Sequence, residues 1–255
     1  MLNPLDLSTK TILITGASSG IGRETAILLS NLGARIILVS RNIEKLHQTK
    51  NMMRDNNHVI YPMDFEKPQD MTEQFKELVN QTGMLDGMVH CAGIQVIKSL
   101  QFSTLEIIEK IFNINLISTI SLSRAFRQPG IAKNPSSIVL LSSVAALFGN
   151  PGLALYSATK GALISLTKSL AIELSKKGIR INCIVPGMVD TDMLQKVFNN
   201  MSEEQRKQWD EAHLLGIGKP LDIAYMIGFL VSAASEWITG SIFTVDGGFS
   251  AFKVK

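Results

Sequence analysis

Charge is in short supply. Asp, Glu, Lys and Arg make up 18% of the 255 residues, below the roughly 25% usual for soluble proteins. A disordered, coiled-coil or collagen-like chain is thereby excluded. Cysteine is scarce: Cys91 and Cys183 stand far apart, which excludes a disulfide framework and a CxxC metal site. Both sit in apolar runs and read as small buried hydrophobes, a usage that fits a reducing compartment. The four histidines (His47, His58, His90, His213) lack ligand spacing, so no metal is expected. The net charge is only +3 and no basic tract of five or more exists, so nucleic acid is not an expected partner. The opening MLNPLDLSTK lacks the basic start and apolar core of a secretory signal. Long apolar runs are missing too. Ile223 to Val245 is broken by Ser232, Ser235, Glu236 and Gly240, and its clean part, Ile223–Val231, is too short to span a bilayer. A cytoplasmic protein without a membrane partner is expected. Pro/Ser-rich linkers and internal repeats are also absent, so residues 1–255 read as one domain, large enough to bury a core without staples.

What is present is alternation. Apolar, β-rich runs occur at Thr11–Thr15, Arg35–Ser40, Val59–Tyr61, Gly87–His90, Ser137–Leu141, Arg180–Val185 and Ser241–Val245. Helical patterns lie between them at Ile21–Leu32, Met71–Gln81, Leu105–Phe126 and Tyr156–Lys177, with another near Ser202–His213. Continuous apolar strands alternating with helices predict an α/β fold: a doubly wound, parallel, seven-stranded, Rossmann-like sheet with helices on both faces. Residues 188–218 form a long excursion past a strand end, the usual place for a substrate lid.

The first strand runs into Gly16-Ala-Ser-Ser-Gly20-Ile-Gly22 and a helix follows at once. Glycines in such a turn let backbone approach a pyrophosphate, and the helix N-terminus supplies N–H groups and a positive dipole end. A dinucleotide site is predicted at Gly16, Ser18, Ser19, Gly20, Ile21 and Gly22. Tyr156-Ser-Ala-Thr-Lys160 places a phenol and an ammonium one helical turn apart. A phenol of pKa near 10 is a poor proton shuttle at neutral pH. A neighbouring cation that lowered it by ~3 units would supply ~4 kcal/mol of differential stabilisation. Taken singly, the glycines also suit a tight structural turn, and the Tyr/Lys pair a surface helix.

Together, TGASSGIG and YSATK resemble the short-chain dehydrogenase/reductase family, and landmarks in the family's order run from about residue 8 to 250. The resemblance implies a nicotinamide coenzyme. The second strand ends Val39-Ser40-Arg41-Asn42, where NAD-binding members carry a carboxylate for the ribose 2′-hydroxyl. Ser40 and Arg41 suit a 2′-phosphate instead, since arginine forks onto phosphate oxygens. NADP(H) is therefore expected over NAD(H), although Ser19 stands where some NADP users have a basic residue. Asp64 matches the acid that contacts the adenine amino group. Ala92 and Gly93 match the close approach to the adenosine side, whereas His90-Cys91 replaces the family's Asn-Asn and leaves its strand-bracing contacts open. Pro186, Gly187, Val189 and Thr191 match the element flanking the nicotinamide. Ile238–Gly240 and Asp246–Gly248 are further landmarks.

The catalytic set implied by the resemblance is Asn115, Ser143, Tyr156 and Lys160. Tyr156 donates a proton to the substrate oxygen. Ser143, with Ser142 as its neighbour and rival, polarises that oxygen. Lys160 grips the nicotinamide ribose, and Asn115, with Asn113 as rival, holds a water that links the lysine to solvent. The stretch Ser143–Tyr156 is similar to the 3-oxoacyl-[acyl-carrier-protein] reductases. That implies an NADPH-dependent oxidoreductase reducing the ketone of a 3-oxoacyl thioester, with an acyl carrier protein as partner. Lys177 falls at a basic position that faces the carrier in that group, and Asn134 replaces another. Sugars, polyols, steroids and other small ketones remain alternatives, as does a catalytically silent NADP(H) sensor. Leu147, Phe148, Leu153, Met188 and Met193 point to a mainly apolar site. Apolar residues beyond one face of Leu105–Phe126, Leu155–Leu174 and Ile223–Val245 predict a homotetramer, with a dimer as fallback.

Overall fold

The computed structural model describes residues 3–199 and 201–251. The order is β1 (Thr11–Thr15), α1 (Gly20–Asn31), β2 (Arg35–Ser40), α2 (Ile43–Asn51), β3 (Val59–Pro62), α3 (Met71–Thr82), β4 (Leu85–His90), α4 (Leu105–Phe112), α5 (Ser118–Phe126), β5 (Ala132–Leu141), α6 (Ala154–Ser175), β6 (Ile179–Pro186), α7 (Asp192–Phe198), α8 (Glu203–Ala212), α9 (Pro220–Val231) and β7 (Ile242–Val245). The seven strands form one parallel sheet in the order β3-β2-β1-β4-β5-β6-β7. The expected α/β architecture is thus the observed one. Among the described residues, no helix is long and apolar enough to cross a membrane.

Side chains alternate across each strand, and both faces are covered. On β1, Ile12 and Ile14 pack in one layer with Leu29, Ile227 and Leu230. Leu13 packs in the other with Phe75, Leu122 and Phe126. Chain order reverses at β1, which pairs with both β2 and β4. In such sheets the crevice for a ligand opens at the carboxyl ends of the strands flanking that reversal.

Several boundaries differ from the sequence expectation. β5 begins at Ala132 rather than Ser137, carrying Asn134 and Pro135 into the sheet. Helices α2 and α7 were not anticipated, although Asn42 and Thr191 cap them by accepting from the N–H groups of Lys45 and Leu194. The Leu105–Phe126 pattern is not one regular helix. A π turn at Asn113–Ile117 separates α4 from α5. There the Ser118 hydroxyl donates to the Ile114 carbonyl (2.6 Å) and the Thr119 hydroxyl to the Asn115 carbonyl (2.9 Å), the back-bonding that distorts helices. π turns of this kind gather at functional sites. Segment 188–218 carries α7 and α8 and closes on itself through a Val189–Gly218 bridge.

Candidate active site

The glycine turn is shaped by what its backbone must avoid. Gly16 has φ +67°, and a Cβ there would sit 2.8 Å from the Ala92 nitrogen. A Cβ on Gly22 would overlap the Gly16 carbonyl. These approaches draw β1, α1 and the β4 loop together around a cavity of about 320 Å³. Gly16 and the run Ser18–Gly22 line it, with Ser40, Arg41, Asp64, Ala92, Gly93 and Thr191 around its rim. At the mouth of α1, the Ser19 side chain caps nothing and the first turn holds no acid. The leading N–H groups are left to a ligand, the arrangement that receives phosphate. The Arg23 guanidinium braces the turn by donating to the Ser18 carbonyl (2.6 Å).

His90 supplies the bracing left open by the missing asparagines. The Ala92 N–H donates to Thr15 Oγ1 (3.1 Å), which lies 2.8 Å from His90 Nδ1; His90 Nε2 faces Ser118 Oγ at 3.5 Å. Ser118 donates onward to Ile114. One assignment satisfies every group: the Thr15 hydroxyl donates to Nδ1 and the Nε2–H donates to Ser118. Burial pushes the His90 pKa down to about 3, with the Lys160 charge acting the same way. The imidazole is therefore neutral and ties the loop after β4 to the π turn.

A second cavity, about 460 Å³, opens beside the first and shares Ile21, Cys91, Gly93, Thr191 and Met193 with it. Pro186, Gly187 and Val189 line this second chamber with Ser143, Tyr156 and Lys160. The two chambers make one cleft at the strand ends. Cys91 is half-buried at the junction, and burial pushes its thiol up to about 12, so it is not an ionised nucleophile.

The two adjacent serines do different things. The Ser142 hydroxyl is buried and donates to the Lys160 carbonyl (2.7 Å), holding α6 to the end of β5. Ser143 caps the short turn Val144–Ala146, and its side chain meets Tyr156. Burial pushes the Tyr156 phenol above its ordinary value, partly offset by Ser143. Lys160 does not lower it in this state. Its Nζ donates to the Leu141 carbonyl (2.8 Å) and lies 5.8 Å from the centre of the tyrosine ring. The lysine is itself pushed down to about 8 by burial. A phenol held above its ordinary value is protonated, the form that donates to a carbonyl oxygen.

The Asn115 side chain is bonded to its protein neighbours. Its Oδ1 accepts from the Ile94 N–H (2.8 Å), and its Nδ2 donates to the Ile94 carbonyl (2.9 Å) and to Thr159 Oγ1 (3.1 Å). The amide is committed to clamping the π turn, the β4 loop and α6 together. It stands behind Gly93, outside the lining of either cavity. Asn113, its rival, lies at the start of the π turn.

The apolar wall is only partly the one expected. Leu153, Met188 and Met193 line the second chamber; Leu147 and Phe148 do not. Phe148 instead packs edge-on against Phe249. Trp209, Phe249 and Met201 line it and were missed in the sequence. His213 organises this side. Its Nδ1–H donates to the Trp209 carbonyl (2.8 Å), its Nε2 accepts from the Met188 N–H (3.1 Å), and its ring stacks on Phe249. Lys177 is remote. It follows α6 at the amino end of β6, about 30 Å of helix from Tyr156, so it cannot face the mouth of its own chain's cleft.

A family model described as enoyl-(acyl carrier protein) reductase matches residues 16–250. The chain belongs to the short-chain dehydrogenase/reductase family. It is therefore an NAD(P)-dependent oxidoreductase acting on CH–OH and C=O groups. Among members of this family it is 37% identical to a 3-oxoacyl-[acyl-carrier-protein] reductase of Rickettsia prowazekii, over 96% of this chain and 98% of that one. A Sinorhizobium meliloti dehydrogenase/reductase superposes with a TM-score of 0.88 at 29% identity, covering 96% and 97% of the two chains. The Thermoplasma acidophilum aldohexose dehydrogenase superposes at 0.86 with 26% identity, covering 98% and 97%. The uncapped α1 terminus and the side-chain-free glycine cradle fit the nicotinamide coenzyme of this family.

Proposed function

We propose that this family member is an NADPH-dependent ketoreductase acting on an apolar 3-oxoacyl thioester, with residues 188–218 as its substrate lid. The observation that carries the reading is the joined cleft. A protonated Tyr156 and the Ser143 hydroxyl lie on one wall of a chamber whose lining is mostly apolar and, among the described residues, carries Lys160 as its charged side chain. Acyl chains suit Met188, Met193, Met201 and Trp209, which line the chamber. The name of the Rickettsia relative supports the thioester. Arg41, with no carboxylate at the end of β2, supports NADPH.

When bound, NADPH supplies the hydride to the carbonyl carbon. Tyr156 donates its proton to the carbonyl oxygen, giving the secondary alcohol. Ser143 donates a hydrogen bond to the same oxygen and fixes its position. Lys160, held between the end of β5 and the coenzyme side, provides the cation that offsets the phenolate left behind. Asn115 keeps α6 and the coenzyme loop in register.

Turnover of acetoacetyl thioesters on coenzyme A and on acyl carrier protein, with NADPH and NADH, tests this. Crotonyl thioester, sugars and cyclic ketones form the comparison panel. Tyr156→Phe should lower kcat by about 10²–10⁴ while NADPH fluorescence titration stays unchanged. Retained turnover in that variant would overturn the mechanism, and coenzyme binding without turnover of any substrate would favour a sensor. A homotetramer, in a reducing cytoplasm, belongs to the same reading. The exposed apolar residues Ile117, Ile120, Ile172, Tyr225 and Trp237 support it. A monomeric mass by light scattering would remove it.

A further inference from the structure

Arg41 is already occupied. Its guanidinium lies 2.5 Å from Glu66 Oε1 and 3.6 Å from Asp64 Oδ1. Lys110 of α4 reaches the same Glu66 oxygen at 3.0 Å. The Glu66 N–H donates to Asp64 Oδ1 (3.0 Å), so one tight turn after β3 presents both carboxylates. The neighbouring cation, Lys45, lies 3.8 Å from Asp192 of α7. Three cations around this rim are thus matched by three carboxylates, and the positive field available to a 2′-phosphate is largely cancelled. Arg41 and Asp64 line the coenzyme cavity, but Glu66 does not. Glu66 engages Arg41 from outside the ligand's space. Its carboxyl is held below the usual carboxylate range by the Lys110 and Arg41 hydrogen bonds, so it is ionised at working pH.

We infer that Glu66 tempers the preference for the phosphate-bearing coenzyme, by competing with the ribose 2′-phosphate for the guanidinium of Arg41. This rests on the reading of Arg41 as the phosphate contact. The carboxylate weakens NADPH binding and leaves NADH, which has no phosphate there, untouched. Lys110 moderates the competition by sharing the Glu66 oxygen. The pair is partly solvated, with Arg41 53% and Glu66 30% exposed. The effect is that of a surface ion pair, about two- to fivefold in affinity, and it fades as salt screens it.

The experiment is a fluorescence titration of the full chain with NADPH and with NADH, independent of turnover. The variants are Glu66→Gln, Arg41→Ala and the two combined. Glu66→Gln keeps the shape of the side chain and removes its charge. It should tighten NADPH about two- to fivefold at low salt, less at high salt, and leave NADH unchanged. Arg41→Ala should weaken NADPH alone, and adding Glu66→Gln to it should then do nothing. If Arg41→Ala leaves NADPH binding intact, the reading of Arg41 fails and this inference with it. If Arg41→Ala weakens NADPH but Glu66→Gln does not tighten it, only the competition is refuted. Equal tightening by Glu66→Gln with and without Arg41 would also overturn it, since the carboxylate would then be acting directly on the phosphate.

Discussion

Replacing His90 with phenylalanine separates a polar brace from simple filling of space. Phe leaves no cavity but is larger than His by roughly a methylene, so the change removes the ring nitrogens and adds overpacking strain that is independent of pH. The Thr15 hydroxyl, fully buried, then loses its acceptor, which costs about 1–3 kcal/mol. The pH dependence makes the test sharper. In the unfolded chain the imidazole takes a proton below about 6.5, whereas in the folded protein it stays neutral down to about 3. Its folded pKa is depressed, so its contribution is fully present above pH 6.5 and is lost as the pH falls from 6.5 towards 3. The loss is about 1.4 kcal/mol per pH unit, or about 2 kcal/mol at pH 5. The variant escapes that loss. The shift of His58 and those of the carboxylates occur in both proteins and cancel in the difference. Urea unfolding should therefore show His90→Phe less stable by at least about 1–3 kcal/mol at pH 7, with the gap narrowed by about 2 kcal/mol at pH 5. A variant equal to the parent at pH 7 would deny the brace. A gap unchanged at pH 5 would show that the folded imidazole takes up protons as readily as the unfolded one.

Four other substitutions address the cleft directly. Gly22→Ala places a methyl against the Gly16 carbonyl and should abolish NADPH binding in a fluorescence titration; normal affinity would contradict the cradle. Because burial holds Lys160 near 8, kcat/KM for reduction should fall as the pH rises through about 8. Lys160→Arg, which stays charged, should carry that limb upward, and a profile flat to pH 10 would refute the assignment. Ser142→Ala should cost about 1 kcal/mol of stability through its lost bond to Lys160 and leave kcat near normal. Ser143→Ala should instead cost about 10²–10³ in kcat with little change in Tm, and the reverse pattern would exchange their roles.

The parts legible in the sequence are those whose chemistry is local. The glycine turn, its helix and the Tyr156/Lys160 pair each lie within one short segment, so spacing alone places them. What the sequence hides is long-range partnership. Nothing near Arg41 announces Glu66, 25 residues away, or Lys110 in another helix. Asn115 was placed at the site, but its actual partners, Ile94 and Thr159, are set by the π turn, which the continuous apolar pattern of Leu105–Phe126 disguised. The early start of β5 was hidden by polar Lys133, Asn134 and Ser136, residues whose strand state is imposed by pairing with β4 and β6.

The two halves of the cleft also differ in how they are built, and that difference explains why the coenzyme was easier to read than the substrate. The coenzyme half is made where β1, β2 and β4 end, and the sheet order alone fixes those ends side by side. The substrate half depends on elements that reach it from outside the sheet. Met188 follows β6, Trp209 rides on α8, and Phe249 follows β7. His213 is the piece that joins them, one nitrogen holding the Met188 backbone, the other the Trp209 carbonyl, with Phe249 stacked on its ring. The wall of the second chamber thus depends on the loop Pro186–Met188 that follows β6. A change in α8 such as Trp209→Ala is therefore expected to alter the choice of acyl chain, which turnover of a chain-length series of 3-oxoacyl thioesters would read, and an unchanged series would refute it.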